Sequence, residues 1–371
     1  VNIRRAIGVD GGSVAREANG ALGDLGTLIP FVLGAISAGI LMPAPVFLGF
    51  ACGYLVVAVV YRIPIAVQPM KALGAVALTG GLAAADVAVA GAIIGVSLLA
   101  LAASPGFDRL CRAIPQTVIV GLQVGLGLLL GHAALGLMGA DWLTGLGAIL
   151  LLSLTFIWRG VPWVLIIVIG AIALGGADGA AAPEMPEMRD GLDLGRALAV
   201  GVLPQLPLTL LNAVVVAAAL ARSLHGPGAA RVTERRLAIT SGALNLALAP
   251  LGALPMCHGA GGVAAHHRFG ARTALAPLLL AAAFLAAAMF GEAAADLLAR
   301  IPMPVVGALL LYAAADLAFS RRLLDARPDC RPVIATAAVG TVIGTAALGF
   351  AAGLAAETIR ARIARRRRAG E

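Results

Sequence analysis

Apolar stretches close to 20 residues long succeed one another along the whole 371-residue chain, separated by short polar or arginine-bearing breaks. They fall at 20–40, 44–61, 63–82, 84–104, 114–135, 142–158, 160–176, 197–221, 236–254, 255–270, 273–291, 301–319 and 332–350, with a shorter tail piece at 351–363. A helix rising about 1.5 Å per residue crosses a hydrocarbon layer of roughly 30 Å in such a length. Lipid tolerates only backbones that satisfy their own hydrogen bonds, and runs of this length do so as helices. The pattern predicts an all-α polytopic membrane protein.

The breaks give the orientation. With the N-terminus cytoplasmic and strict alternation, the loops on the inside carry Arg62, Arg109, Arg112, Arg159, Arg222, Arg231, Arg235, Arg236, Arg268, Arg272, Arg321, Arg322, Arg327 and Arg331. The outside loops carry only Arg189, Arg196 and Arg300, and the longest of them is acidic, with Asp178, Glu184, Glu187 and Asp190. That asymmetry follows the positive-inside rule. The tail bears Arg360, Arg362 and Arg365 to Arg368, so it too belongs inside, beside anionic lipid. An even number of crossings follows, about 14 in all. The stretch 332–363 is short for two of them and reads as a shallow or tilted hairpin. The expected location is a bacterial-type inner membrane, with both termini cytoplasmic.

Composition agrees. Hydrophobic residues make up 60% and charged residues 12% of the chain, where a soluble domain carries about 25% charged residues. The 47 glycines and 20 prolines suit close helix packing and interrupted helices within a bundle. The net charge of +8 does not point to nucleic acid, because the arginines sit in separate clusters between apolar runs. Cys52, Cys111, Cys257 and Cys330 are scattered, with no C-x-x-C pair, so neither a zinc site nor a disulfide framework is implied. No cleavable leader is visible: the first apolar run begins after Arg4, Arg5 and Arg16 and is full length.

A weak internal repeat runs through the chain. Arg112-Ala-Ile-Pro115 with Gly121 echoes Arg300-Ile-Pro302 with Gly307, Pro64 to Lys71 echoes Pro255 to Gly262, and Asp24 stands to the first half as Gln205 does to the second. The offsets are 187 residues for Pro115 to Pro302, 190 for Gln68 to His258 and 181 for Asp24 to Gln205. A repeat of about seven spans is odd in number, so the second copy is inverted in the membrane. Inverted repeats with short interrupted helices, here spans 3 and 10, are a transporter architecture.

Polar groups inside spans are costly and face a cavity or a partner helix. Four clusters stand out. Gly20, Gly23, Asp24 and Thr27 fall on one helical face by their spacing, beside a glycine break in the first span, and Asp24 could carry a coupling proton, orient a donor, or cap a helix start. In Pro64 to Lys71, two prolines argue for an extended stretch that then opens a helix, whose N–H groups favour an anion. Lys71 is the only lysine in the chain, and its compact ammonium beside Gln68 suits an oxyanion, although a snorkelling lysine fits the same position. Gln205, Thr209 and Asn212 make one polar face, for a ligand or for helix pairing. His258, Gly259, Gly261 and Gly262 open a second helix start, where backbone N–H groups can close on a ligand. His266 and His267 adjoin Arg268 at an inside end and read as interfacial. No carboxylate or cysteine completes a metal-ligand set with these histidines. No cofactor is expected, and no H-E-x-x-H, G-x-S-x-G or Walker sequence implies an enzyme or an ATPase.

These same blocks resemble a known family. Asn19 to Pro30, Val67 to Ala72, Gln205 to Asn212, and Cys257 to Gly262 with Arg268 to Arg272 look like the signature blocks of the molybdate transporter family related to sulfate permeases. The resemblance covers about 250 residues, in family order. It implies seven plus seven inverted spans. The core domain would comprise 1–110 (spans 1–4) and 195–292 (spans 8–11), and the gate domain 111–194 (spans 5–7) and 293–371 (spans 12–14 and the basic tail). It also implies uptake of a tetrahedral oxyanion by a secondary active transporter, molybdate first and sulfate or tungstate next, coupled to protons. Binding roles then go to Asp24, Thr27, Gln68, Lys71, Gln205, Thr209, Asn212, His258, Gly259 and Gly261. Sulfate permeases end in a soluble regulatory domain, whereas this chain stops at Glu371 after its arginine tail, which favours the molybdate branch. Related folds often dimerise, which leaves a homodimer open.

Three other readings are weaker. A nucleobase:proton symporter shares the architecture but is similar to its kin in placing carboxylates in spans 8 and 10, where this chain has Gln205, Thr209, Asn212 and His258. An oxyanion channel is separated from a transporter by concentrative uptake. A membrane enzyme lacks its nucleophile–base pair.

Overall fold

The computed structural model describes residues 11–107, 109, 111, 115–158, 161, 163–175 and 191–369. Arg112, Arg159, Arg189 and the acidic stretch from Asp178 to Asp190 lie outside the described residues. The first half holds α1 (Gly11–Leu22), α2 (Leu25–Ser37), α3 (Pro43–Tyr61), strand β1 (Gln68–Pro69), α4 (Lys71–Leu78), α5 (Ala84–Ala103), α6 (Gln116–Met138), α7 (Trp142–Ile157) and α8 (Trp163–Leu174). The second half holds α9 (Leu194–Ala229), α10 (Glu234–Leu248), strand β2 (Met256–Cys257), α11 (Ala260–Phe269), α12 (Leu275–Met289), α13 (Gly291–Ala299), α14 (Met303–Ala318), α15 (Arg331–Ile343) and α16 (Ala346–Ala369).

Among the described residues, α3, α5, α6 and α9 are each long and apolar enough to cross a membrane unaided. The pair α1 and α2 qualifies only when its two pieces are taken together, with a 53° bend between them. This corrects one expectation. Gly20, Gly23, Asp24 and Thr27 do not share a face of one helix, because the helix breaks at Gly23 and Asp24 and restarts at Leu25. Packing explains the break. A Cβ on Gly20 would sit 2.1 Å from the Ala271 nitrogen, and one on Gly23 would sit 2.9 Å from the Ala265 carbonyl oxygen, so α1 is pressed against the end of α11. The long α9 is π-helical over Ala197–Val202 and Thr209–Val216, on either side of Pro204 and Pro207. A proline removes a helix donor, and wider turns absorb the defect.

Helices of the first half pack on helices of the second: α3 on α12, α5 on α10, and α6 on α14. Small residues let the backbones meet. A Cβ on Gly95 would lie 2.8 Å from the Gly242 carbonyl oxygen, and one on Gly307 would lie 2.8 Å from that of Ala134. A second, smaller apolar core joins α7, α8 and α14 through Leu152, Ile167, Val168, Val306 and Leu309. At the end of the chain, α15 and α16 form an antiparallel hairpin, with Gly349 against Thr341 and Gly353 against Ala337. The 13 residues of α15 rise only about 20 Å, short of the hydrocarbon thickness. Large apolar side chains such as Leu55, Val59, Leu143 and Leu150 face outward, as a lipid-solvated surface requires.

Candidate functional site

Two helix starts meet at the centre of the fold. Strands β1 and β2 pair antiparallel, Gln68 opposite Cys257 and Pro69 opposite Met256, and Met70 N donates to the Pro255 carbonyl at 2.8 Å. Proline fixes φ and denies the backbone a donor, so both segments leave their sequence neighbours extended before a helix begins. Helix α4 then starts at Lys71 and α11 at Ala260, and neither start has a side-chain cap from its own N-cap residue. Such ends carry a partial positive charge.

The pair is braced from outside by two residues. Asn245 on α10 acts as an extra strand: its Nδ2 donates to the Met256 carbonyl at 2.6 Å, and its Oδ1 accepts from Met256 N at 2.8 Å. His258 braces the other strand. Its Nδ1 donates to the Ala66 carbonyl at 3.0 Å, which leaves Nε2 to accept from the Thr240 hydroxyl at 2.8 Å. The Tyr61 hydroxyl joins Thr240 at 2.6 Å. With both ring nitrogens bound to protein groups and the ring buried, His258 is not presented to a ligand. In this structure its two ring nitrogens hold Thr240 and the Ala66 carbonyl.

Inside the brace, Gln68 organises the first polar cluster. Its Nε2 donates to Asp24 Oδ1 and to Thr27 Oγ1, and the Thr27 hydroxyl donates to Asp24 Oδ1 at 2.8 Å. Its Oε1 lies against Gly259, where a Cβ would be 1.7 Å away. Asp24 is buried. Its second oxygen faces Gly262, where a Cβ would come within 2.5 Å, and points toward His266 Nε2 at 4.0 Å. His266 is buried, not interfacial as its neighbours suggested, and its Nδ1 donates to the Gly20 carbonyl at 2.8 Å. The same carbonyl also accepts from Gly23 N at 3.2 Å, in the turn where the first helix breaks.

Gln205 organises the second cluster. Its Oε1 accepts from the N–H groups of Ala72 and Leu73 at 2.8 and 3.1 Å, and its Nε2 donates to Thr209 Oγ1 at 2.8 Å. The start of α4 is thus already occupied by an uncharged oxygen from the other half of the chain. Gln68, Lys71, Gln123, Gln205, Thr209, Asn212 and Cys257 enclose a small cavity of about 10 Å³. That is room for about one water. A second cavity, of about 380 Å³, is lined by Asp24, Thr27, Gly261, Arg268, Tyr312 and Asp316 among others. Lys71 reaches Asp316 on α14 at 3.3 Å.

Nine of the ten expected site residues therefore gather around the strand pair, and His258 stands behind it. Sequence reasoning passed over Gln123, Asn245 and Asp316, and read His266 as interfacial. Gln123 and Asp316 were visible as polar groups within apolar runs. Asn245 carries no motif that marks it, and the neighbouring Arg268 masked His266. No group of three histidine, cysteine or acidic side chains gathers as a metal site among the described residues.

The model of the family described as "Molybdate transporter of MFS superfamily" matches residues 16–130 and 197–317. Molybdate transporter 2 of Arabidopsis thaliana is 27% identical over 394 residues, covering 88% of this chain and 83% of that protein. Molybdate transporter 1 of Chlamydomonas reinhardtii is 44% identical over 141 residues, covering 37% of this chain and 26% of that protein. Among solved structures, the transmembrane domain of the cyanobacterium bicarbonate transporter BicA superposes with a TM-score of 0.66 at 16% identity, over 93% of this chain and 98% of that one. The murine Slc26a9 anion transporter in the inward-facing state gives 0.64 at 14% identity, over 96% and 69%. Likenesses at that identity establish the fold alone. With the family match covering most of the polar clusters just described, this chain is a multi-pass integral membrane protein with the fold of sulfate permease-like anion transporters, and it belongs to the molybdate transporter family.

Proposed function

We propose that the protein is a secondary active transporter that takes up molybdate by alternating access, with protons as the coupling ion. The observation that carries this reading is the convergence of two helix starts and the chain's one lysine on a strand pair walled by neutral polar groups. Gln68, Gln205, Thr209 and Asn212 donate or accept without adding negative charge beside Lys71. A tetrahedral dianion needs that combination of fixed positive potential and hydrogen-bond donors. Sulfate and tungstate share its shape and charge and are the nearest competitors.

The cavity of about 10 Å³ is too small for such an ion. Entry requires Gln205 to leave the Ala72 and Leu73 N–H groups, so that an oxyanion oxygen takes the place of its amide oxygen. Asp24, Thr27 and Gly261 line the larger cavity, and Gln68, bonded to Asp24 and Thr27, lines the small pocket, which supports a route for the ion past these residues. Arg268 lines that cavity on the side given the arginine-rich loops, which supports an opening toward the cytoplasm. The accompanying architecture is fourteen spans in two inverted halves. Residues 1–110 and 195–292 act as the core, and 111–194 and 293–371 as the gate. Lys71 on α4 and Asp316 on α14 then bridge core and gate.

The test is equilibrium binding of labelled molybdate to the purified protein, with tungstate, sulfate and uracil as competitors. Saturable binding displaced by tungstate and untouched by uracil is expected. Displacement by uracil, with no oxyanion binding, overturns the reading.

A further inference from the structure

Two buried polar atoms in this fold have no hydrogen-bond partner and face each other: Asp24 Oδ2 and His266 Nε2, 4.0 Å apart, on side chains each 1% exposed. Native interiors seldom leave a carboxylate oxygen unpaired, because burial without a partner is costly. Two such atoms side by side are explained if the site takes up and gives back a proton. From this geometry we infer that Asp24 and His266 together form the proton-carrying site of the transporter. The inference rests on the proposed proton-coupled uptake and assigns that coupling to two residues.

The hydrogen bonds fix which atom titrates on the histidine. Nδ1 donates to the Gly20 carbonyl, so it holds its proton in either charge state, and only Nε2 gains or loses one. On Asp24, Oδ1 is held by Gln68 and Thr27, which leaves Oδ2 as the free face. The proton reaches the pair from the water of the larger cavity, which Asp24 lines. Among the described residues, the other charged or titratable groups near the pair are Lys71 on α4, Tyr54 on α3, Cys257 on β2, and Arg268, Tyr312 and Asp316 around the cavity. The Tyr54 ring stands edge-on to His266 at 6.4 Å.

With one proton the pair is neutral overall, an imidazolium beside a carboxylate. Without it, a net negative charge sits one Gln68 side chain away from the oxyanion pocket. Proton loading therefore favours anion binding, and reciprocity requires anion binding to favour proton loading. Gln68 carries the message structurally as well, since it touches Asp24 on one side and lines the anion pocket on the other.

The test compares wild type, Asp24→Asn and His266→Gln, each checked for an unchanged melting temperature. Molybdate affinity is measured from pH 5.5 to 8.5, with proton-driven uptake and molybdate counterflow in proteoliposomes. Wild type should lose affinity as pH rises, by up to about tenfold per pH unit for one linked proton. Both variants should flatten that dependence, and His266→Gln should keep counterflow while losing proton-driven accumulation. A wild type that responds to pH and to the proton gradient, alongside variants with the same slope and the same accumulation, overturns the pair and leaves proton coupling standing. A wild type that takes up molybdate with no response to either overturns proton coupling and the pair with it.

Discussion

Gly259 and Gly261 sit two residues apart at the start of α11, yet the same substitution should affect them in opposite ways. Gly259 has φ −62° and ψ 129°, a conformation that alanine adopts freely, so Gly259→Ala carries no backbone penalty. Its cost is steric. The new Cβ would stand 1.7 Å from Gln68 Oε1 and 2.7 Å from its Cδ, so the amide must withdraw by more than 1 Å. It cannot do so while Nε2 stays on Asp24 and Thr27. Losing those two bonds, one of them to a carboxylate, is worth about 2–3 kcal/mol. The folded state should lose about that much stability, and molybdate binding should weaken because Gln68, which lines the anion pocket, is displaced. Gly261 is different: nothing lies within 4 Å of its would-be Cβ. In Gly261→Ala the helix gains up to about 1 kcal/mol of propensity, and the melting temperature should hold or rise. Equilibrium binding on the two purified variants, with thermal melts, reads both effects. Unchanged binding in Gly259→Ala would refute the claim that Gln68 is positioned by contact with Gly259. An equal loss of stability in both variants would refute the steric argument.

Other expectations follow from the same contacts. Lys71→Gln removes the positive charge at the α4 start and should weaken molybdate binding by at least tenfold, with little change in melting temperature, because its partner Asp316 is half-exposed. Gln205→Leu leaves the Ala72 and Leu73 N–H groups unpaired and should cost about 2–4 kcal/mol, read as a lowered melting temperature without ligand that excess molybdate partly restores. His258→Ala removes the brace between Ala66 and Thr240, so it should lower stability by about 2–3 kcal/mol while the surviving folded fraction keeps its molybdate affinity. Asp86 is fully buried and accepts from Ala83 N, Asp193 N and Arg196; Asp86→Ala should cost about 3 kcal/mol, measured by thermal unfolding, without changing the counterflow rate of protein that remains folded.

The character of this protein was legible in its sequence because the bilayer imposes a length and a polarity that few residues can disguise. The family blocks were legible too, since Asp24, Gln68, Lys71 and Gln205 stand out as polar groups in an apolar chain. Their partners were not. A sequence presents Gln205 and the N–H of Ala72 as 133 positions apart, and only folding makes one the cap of the other. The glycines around Asp24 suited both a break in the first span and a shared helical face, and the sequence left the two readings side by side. What decides for a break is the approach of Ala265 and Ala271 from the far end of the chain. The same blindness hid the surroundings of two histidines. His258 lay inside the conspicuous glycine-rich block and looked like a ligand, although Ala66 and Thr240 hold it. His266 lay beside Arg268 and looked superficial, although it is buried against Asp24.

The central claim is concentrative oxyanion transport, and uptake of labelled molybdate into proteoliposomes holding the full chain tests it most directly. Under an inward proton gradient, saturable accumulation above the external concentration is expected. Tungstate should block it, sulfate should rank between tungstate and no competitor, and uracil should have no effect. Entry that only equilibrates molybdate would make the protein a channel, and accumulation of uracil with no molybdate uptake would contradict the oxyanion site itself.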